Sequence, residues 1–186
     1  LSAEWFDWIK ANFNLIESFT YFKLIKYLEK ENPNTSNLSK KLEKPEKRSL
    51  SSSTRYWKSY ILNNPNAIDI FEEKPLAKIQ NLSIDHFLPW SFVAHDLIWN
   101  LHPVDKKINS SKNNCIPEKR YFKQFYSLQH NFCKFLLERN LNKPLENYYT
   151  LFNCSNTELK NLQLNQFITR MENFYSPQYE VAKIWG

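Results

Sequence analysis

The segment SIDHFLPWSFVAHDLIWNLHPVDKKINSSKN, Ser83 to Asn113, interrupts a chain that otherwise reads as helices. Leu82 and Ile84 lead into Asp85-His86-Phe87 as a short strand, and Asn100-Leu101-His102-Pro103-Val104 reads as a second. A loop containing Pro89 and Trp90 joins them. Asp105 suits the N-cap of a short helix through Lys112, because its carboxylate can accept a backbone N–H of the first turn. The expected unit is a β-loop-β-α hairpin that brings Asp85, His86, Asn100 and Asn109 together.

Working outward, Leu15, Phe19, Phe22, Ile25 and Leu28 recur at helical spacing within a helix expected from Trp5 to about Glu31. Asn32-Pro33-Asn34 stops it. The polar run SKKLEKPEKRSLSSS, Ser39 to Ser53, is expected to be a linker or exposed loop. If it grips nucleic acid instead, Lys40, Lys41, Lys44, Lys47 and Arg48 are the residues that would do so. Further helices are expected over Thr54–Asn63, Glu118–Asn140, Pro144–Phe152 and Thr157–Tyr175, with a last turn or two from Tyr179 to Trp185. Their aromatics fall at burial spacing and read as core. The organisation is a helical N-terminal region with a basic linker (1–81), the hairpin (82–117) and a helical C-terminal region packing on it (118–186), all as one α+β domain.

Composition removes several classes of function. The single glycine is Gly186, so neither a phosphate-cradling Gly-Lys loop nor a Gly-rich dinucleotide turn exists. No apolar run approaches the roughly 20 residues of a membrane span. Cys115, Cys133 and Cys154 form no Cys-x-x-Cys pair, which argues against a zinc knuckle and for reduced thiols in a cytoplasmic protein. A net charge of +6 points to an acidic partner, nucleic acid first. Met171 is the only methionine and the chain opens on Leu1, so an upstream sensor or recognition domain is an expectation.

The residue types of the hairpin are those that phosphodiester hydrolysis needs. That reaction takes an activated water, a cation against developing negative charge, and support for the leaving oxygen. The Asp85 carboxylate and the Asn109 carboxamide are hard oxygen ligands suited to Mg²⁺ or Mn²⁺. His86 leaves its strand on the face opposite Asp85 and can take the proton, since an imidazole titrates near neutral pH.

Asp85-His86, thirteen residues, Asn100, eight residues, Asn109, two residues and Lys112 form a pattern that resembles the HNH endonucleases, the ββα-metal or His-Me finger family. The spacing is most similar to the HNH domain of RNA-guided CRISPR effector nucleases, and Pro89, Ser91-Phe92, Asp96 and Pro117 agree as well. The resemblance covers about Ser83 to Pro117. It implies a mostly helical domain built around a ββα-metal motif, with Asp85 and Asn109 on a single metal ion and His86 as general base. It further implies that Asn100 holds the loop and orients His86, that Lys112 faces the scissile phosphate, and that the products carry 5′-phosphate and 3′-hydroxyl ends. His95 and His102 are secondary candidates for metal or DNA, and His130 reads as structural. No zinc is expected, because the cysteine pairs that clamp one in many HNH proteins are missing.

The activity expected from these residues is Mg²⁺- or Mn²⁺-dependent DNA cleavage, with restriction or anti-phage defence as its setting. An RNA-cutting toxin on the same motif and a noncatalytic nucleic-acid-binding module are the alternatives.

Overall fold

The computed structural model describes residues 2–33, 38–42 and 49–185. The chain divides into two compact units, Leu1–Pro45 and Glu46–Gly186.

In the first unit, helix α1 (Ala3–Ala11) starts on Ser2, whose hydroxyl accepts the Trp5 N–H, and ends at Asn12. Asn12 donates both its backbone N–H and its Nδ2 to the Trp8 carbonyl and closes α1 there, splitting the long helix expected from Trp5 to Glu31. Helix α2 (Phe13–Glu31) follows, and then α3 (Leu38–Leu42) inside the run expected to be a linker. The apolar stripe expected to be core is not buried. Leu15, Phe19 and Phe22 are 70%, 59% and 52% exposed, and Ile25 and Leu28 are only half-buried. Periodicity defines an apolar face without defining what covers it.

The second unit opens with α4 (Ser51–Asn63), which starts three residues earlier than expected. Strand β1 (Leu82–His86), helix α5 (Trp90–Val93), strand β2 (Leu101–Asp105) and helix α6 (Lys106–Lys112) come next, followed by α7 (Phe122–Glu138) and α8 (Asn142–Phe152). Strands β1 and β2 pair antiparallel, with Asp85 opposite His102 and His86 opposite Leu101. The Asp105 carboxylate accepts the Lys107 N–H at 2.8 Å and starts α6 as the sequence suggested. This is the mostly helical α+β architecture expected around a ββα hairpin.

Helix α9 (Asn156–Asn161) and helix α10 (Leu164–Trp185) correct the ending read from sequence. The helix expected from Thr157 to Tyr175 breaks at Leu162, whose backbone is extended and whose side chain is buried. Beyond it, α10 runs unbroken through Pro177. An interior proline costs a helix on the order of 3 kcal/mol, but Met171, Tyr175, Tyr179 and Ala182 are all buried on one face of α10. That packing spans the defect.

Two strands do not form a stable sheet alone. This pair is held because both of its faces are covered, with Leu101 and Val104 fully buried. Phe87, just past β1, stacks on Phe125 of α7 at 3.9 Å between ring centroids, and Trp57 of α4 stacks on Phe132 of α7 at 3.7 Å. Helix α7 is therefore the spine against which the hairpin is set.

Candidate active site

Strand β1 delivers Asp85 and His86, and helix α6 delivers Lys106 and Asn109. All four line one open cleft together with Ser83 and Trp90. Strand alternation sends Asp85 and His86 to opposite faces, yet both reach the cleft because His86 is the last residue of β1 and stands at its end. Asn109 donates its Nδ2 to the Ser83 hydroxyl at 2.7 Å, tying α6 to β1 two residues before Asp85. Two groups distant in sequence thus share one wall.

His86 is 7% exposed, and its Nε2 lies 2.8 Å from Asp96 Oδ1. Asp96 comes from the loop after α5, ten residues on, and acts as the ring's orienting carboxylate. A carboxylate at this distance fixes the orientation of the ring and stabilises the imidazolium that forms when His86 takes up a proton.

Lys112 is turned toward Asp85 and His86. Its ammonium makes an ion pair with Asp85 Oδ2 at 2.9 Å and donates to the His86 carbonyl at 2.8 Å, and its side chain is 7% exposed. A carboxylate buried to this degree needs a countercharge, and Lys112 supplies it from the end of α6. Lys106, not singled out from sequence, is the lysine that lines the cleft.

Asn100 is fully buried and works on backbone. Its Oδ1 accepts the Leu88 N–H at 3.0 Å, its Nδ2 donates to the Leu88 carbonyl at 2.9 Å, and its own carbonyl accepts the Phe87 N–H at 2.7 Å. The chain immediately after His86 is clamped by these three bonds.

The secondary histidine candidates do not share this cleft. His102 is 0% exposed, edge-on to Phe71, Phe87 and Phe125, and burial lowers its pKa to about 4. It sits as a neutral core residue across the ladder from Asp85. His95 packs its ring against Trp99, and burial, reinforced by the nearby His86, lowers its pKa to about 4. His130 lies 3.3 Å from the Leu162 carbonyl, in keeping with a structural role. Lys44, Lys47 and Arg48 lie outside the described residues, as do the side chains of Lys40 and Lys41, whose backbone belongs to α3.

Among the described residues no group of three or more His, Cys, Asp or Glu side chains stands ready to hold a metal. Of the oxygen donors that line the cleft only Asp85 is a carboxylate; the others are the carboxamides of Asn109, Asn113 and Asn114 and the hydroxyls of Ser83 and Ser110. Such a set does not suit a structural zinc but fits a hard divalent cation that keeps most of its waters and takes phosphate oxygens into its shell. Soft ligands are not among them.

Residues 69–118 match the family model described as HNH endonuclease. No curated protein and no solved structure matches the chain. The matched segment begins at Asp69, a buried aspartate that accepts the N–H groups of Phe71, Glu72 and Lys74 and fixes the turn ahead of β1. It ends just past α6, so it contains both strands and every residue of the cleft. Among the described residues, no helix is long and apolar enough to cross a membrane. By hairpin, cleft and family match together, residues 69–118 of this chain belong to the HNH endonuclease family.

Proposed function

We propose that this chain is a divalent-metal-dependent endonuclease that hydrolyses DNA phosphodiester bonds in the cleft between β1 and α6, in the setting of restriction or anti-phage defence. The observation that carries the reading is the meeting of Asp85, His86 and Asn109 on one cleft wall, with Asp96 on Nε2 of His86. His86 takes the proton of the attacking water, and Asp96 stabilises the imidazolium that results. Asp85 and Asn109 are the residues that would hold Mg²⁺ or Mn²⁺. That ion supplies Lewis-acid stabilisation of charge on the phosphate oxygens when bound. Asn100 keeps the His86 loop in register. Lys112 places positive charge at the floor of the site beside the scissile phosphate, and Lys106 guides the neighbouring backbone. DNA is the substrate, with the basic residues Lys40, Lys41, Lys44, Lys47 and Arg48 adding affinity for its phosphates.

The test is incubation of supercoiled plasmid, and in parallel single-stranded RNA, with Mg²⁺ or with EDTA. Plasmid should be nicked or linearised with Mg²⁺ and left intact with EDTA, and Asp85→Ala should lose about 100-fold or more of the rate. Cleavage confined to RNA would replace the substrate with RNA. Binding without cleavage of either polymer, with Mg²⁺ or Mn²⁺, would make the hairpin a noncatalytic module.

A further inference from the structure

Asn100 is held from outside the matched segment. Tyr175 of α10, seventy-five positions away in sequence, donates its hydroxyl to Asn100 Oδ1 at 3.0 Å and lies 3.2 Å from the Trp99 carbonyl. We infer that Tyr175 is a positioning residue for His86, acting through the Asn100 carboxamide. The inference rests on the endonuclease reading above and adds to it a part of the molecule that the family match does not cover.

Three observations lead there. First, Asn100 Oδ1 has two lone pairs and two donors, the Leu88 N–H and the Tyr175 hydroxyl. Its acceptor capacity is filled, and only one orientation of the amide gives both donors an oxygen. The same orientation aims Nδ2 at the Leu88 carbonyl. Second, the backbone fixed in this way begins at Phe87, the residue after His86, so a rotation of Asn100 is passed directly to the imidazole. Third, both side chains are fully buried, where water does not replace a lost partner. Burial also raises the Tyr175 phenol well above its ordinary pKa, so it stays a donor throughout the working pH range. The ring is fixed edge-on by Phe87, Trp99 and Phe125 at 5.6 to 5.9 Å between centroids.

A tyrosine buried only for packing would show the same exposure, so the test separates hydroxyl from ring. Tyr126 is the internal control. It lies in the same cluster, 5.6 Å from Tyr175, and its hydroxyl is buried with no hydrogen-bond partner among the described residues. Tyr175→Phe, Tyr126→Phe, Asn100→Ala and the pair Tyr175→Phe/Asn100→Ala are compared in the full chain at a temperature where all are folded. Tyr175→Phe should lower kcat about tenfold with KM within about twofold of wild type. In the Asn100→Ala background the same change should alter kcat by less than about twofold, because the route to His86 is already cut. Tyr126→Phe should leave kcat as it is. By amide hydrogen exchange, Leu88 should open about tenfold faster in Tyr175→Phe, with the Phe132 amide in α7 unmoved. Wild-type kcat in Tyr175→Phe, an equal loss in Tyr126→Phe, or a full additional loss on top of Asn100→Ala overturns the inference. Failure of the wild-type chain to cleave any nucleic acid would instead remove the endonuclease reading. Exchange at Leu88 would then decide the brace alone, and an unchanged rate would overturn it.

Discussion

Asp96 has the most separable task of any residue around the cleft. It stands on a loop, its side chain is about a third exposed, and it meets the site through the 2.8 Å bond to His86. Asp96→Asn should therefore cost rate and not binding. Single-turnover cleavage should fall by part of the roughly 10²- to 10⁴-fold that a positioned base contributes, with the DNA dissociation constant unchanged by titration. His102 gives the residue-scale prediction for pH. Its pKa falls from an ordinary 6.5 to about 4 because the ring is buried. The unfolded chain takes up this proton below about 6.5, whereas the folded chain resists until about 4. Stability is thus fully present above 6.5 and declines as pH falls toward 4, by roughly 3 kcal/mol for a shift of this size. His102→Gln should flatten the fall of melting temperature over that window.

At the scale of elements, α6 is a seven-residue helix whose place determines whether Asn109 meets Asp85. Its start depends on the Asp105 cap, so Asp105→Ala should cost about 1 kcal/mol of stability. It should also weaken Mg²⁺ activation, read as a higher Mg²⁺ concentration for half-maximal rate, although Asp105 is not proposed as a ligand. Much of this element was legible in the sequence. An aspartate ahead of a short polar run is a local capping signal, and strand alternation around Asp85-His86 is local too. What could not be read depended on distant partners. Lys112 turns to Asp85 and the His86 carbonyl because a buried carboxylate needs a countercharge, and burial is not written in spacing. The break at Leu162 and the passage of α10 through Pro177 follow from which faces find a partner. Tyr175 carries no motif, and only its contact with Asn100 distinguishes it from the other core tyrosines.

For the whole molecule, the described core gathers on the second unit, and the first unit leaves a row of aromatics exposed from Trp5 to Tyr27. The same spacing rule thus produced a core in α7 and an uncovered face in α2, because periodicity is blind to what lies opposite. Charge is the other property of the entire chain. With a net +6, binding should weaken steeply as salt rises, by about 0.9 in log-log slope for each duplex phosphate neutralised. Replacing Lys40, Lys41, Lys44, Lys47 and Arg48 with Ser should reduce that slope if the stretch grips DNA, and leave it unchanged if it only links. The central claim, that the hairpin is a working nuclease whose base is His86, is tested most directly by the single-turnover rate of plasmid cleavage in Mg²⁺ for wild type and His86→Ala, with DNA affinity measured alongside. The expected result is a rate loss of at least about 100-fold at unchanged affinity; cleavage by His86→Ala at the wild-type rate would contradict the account.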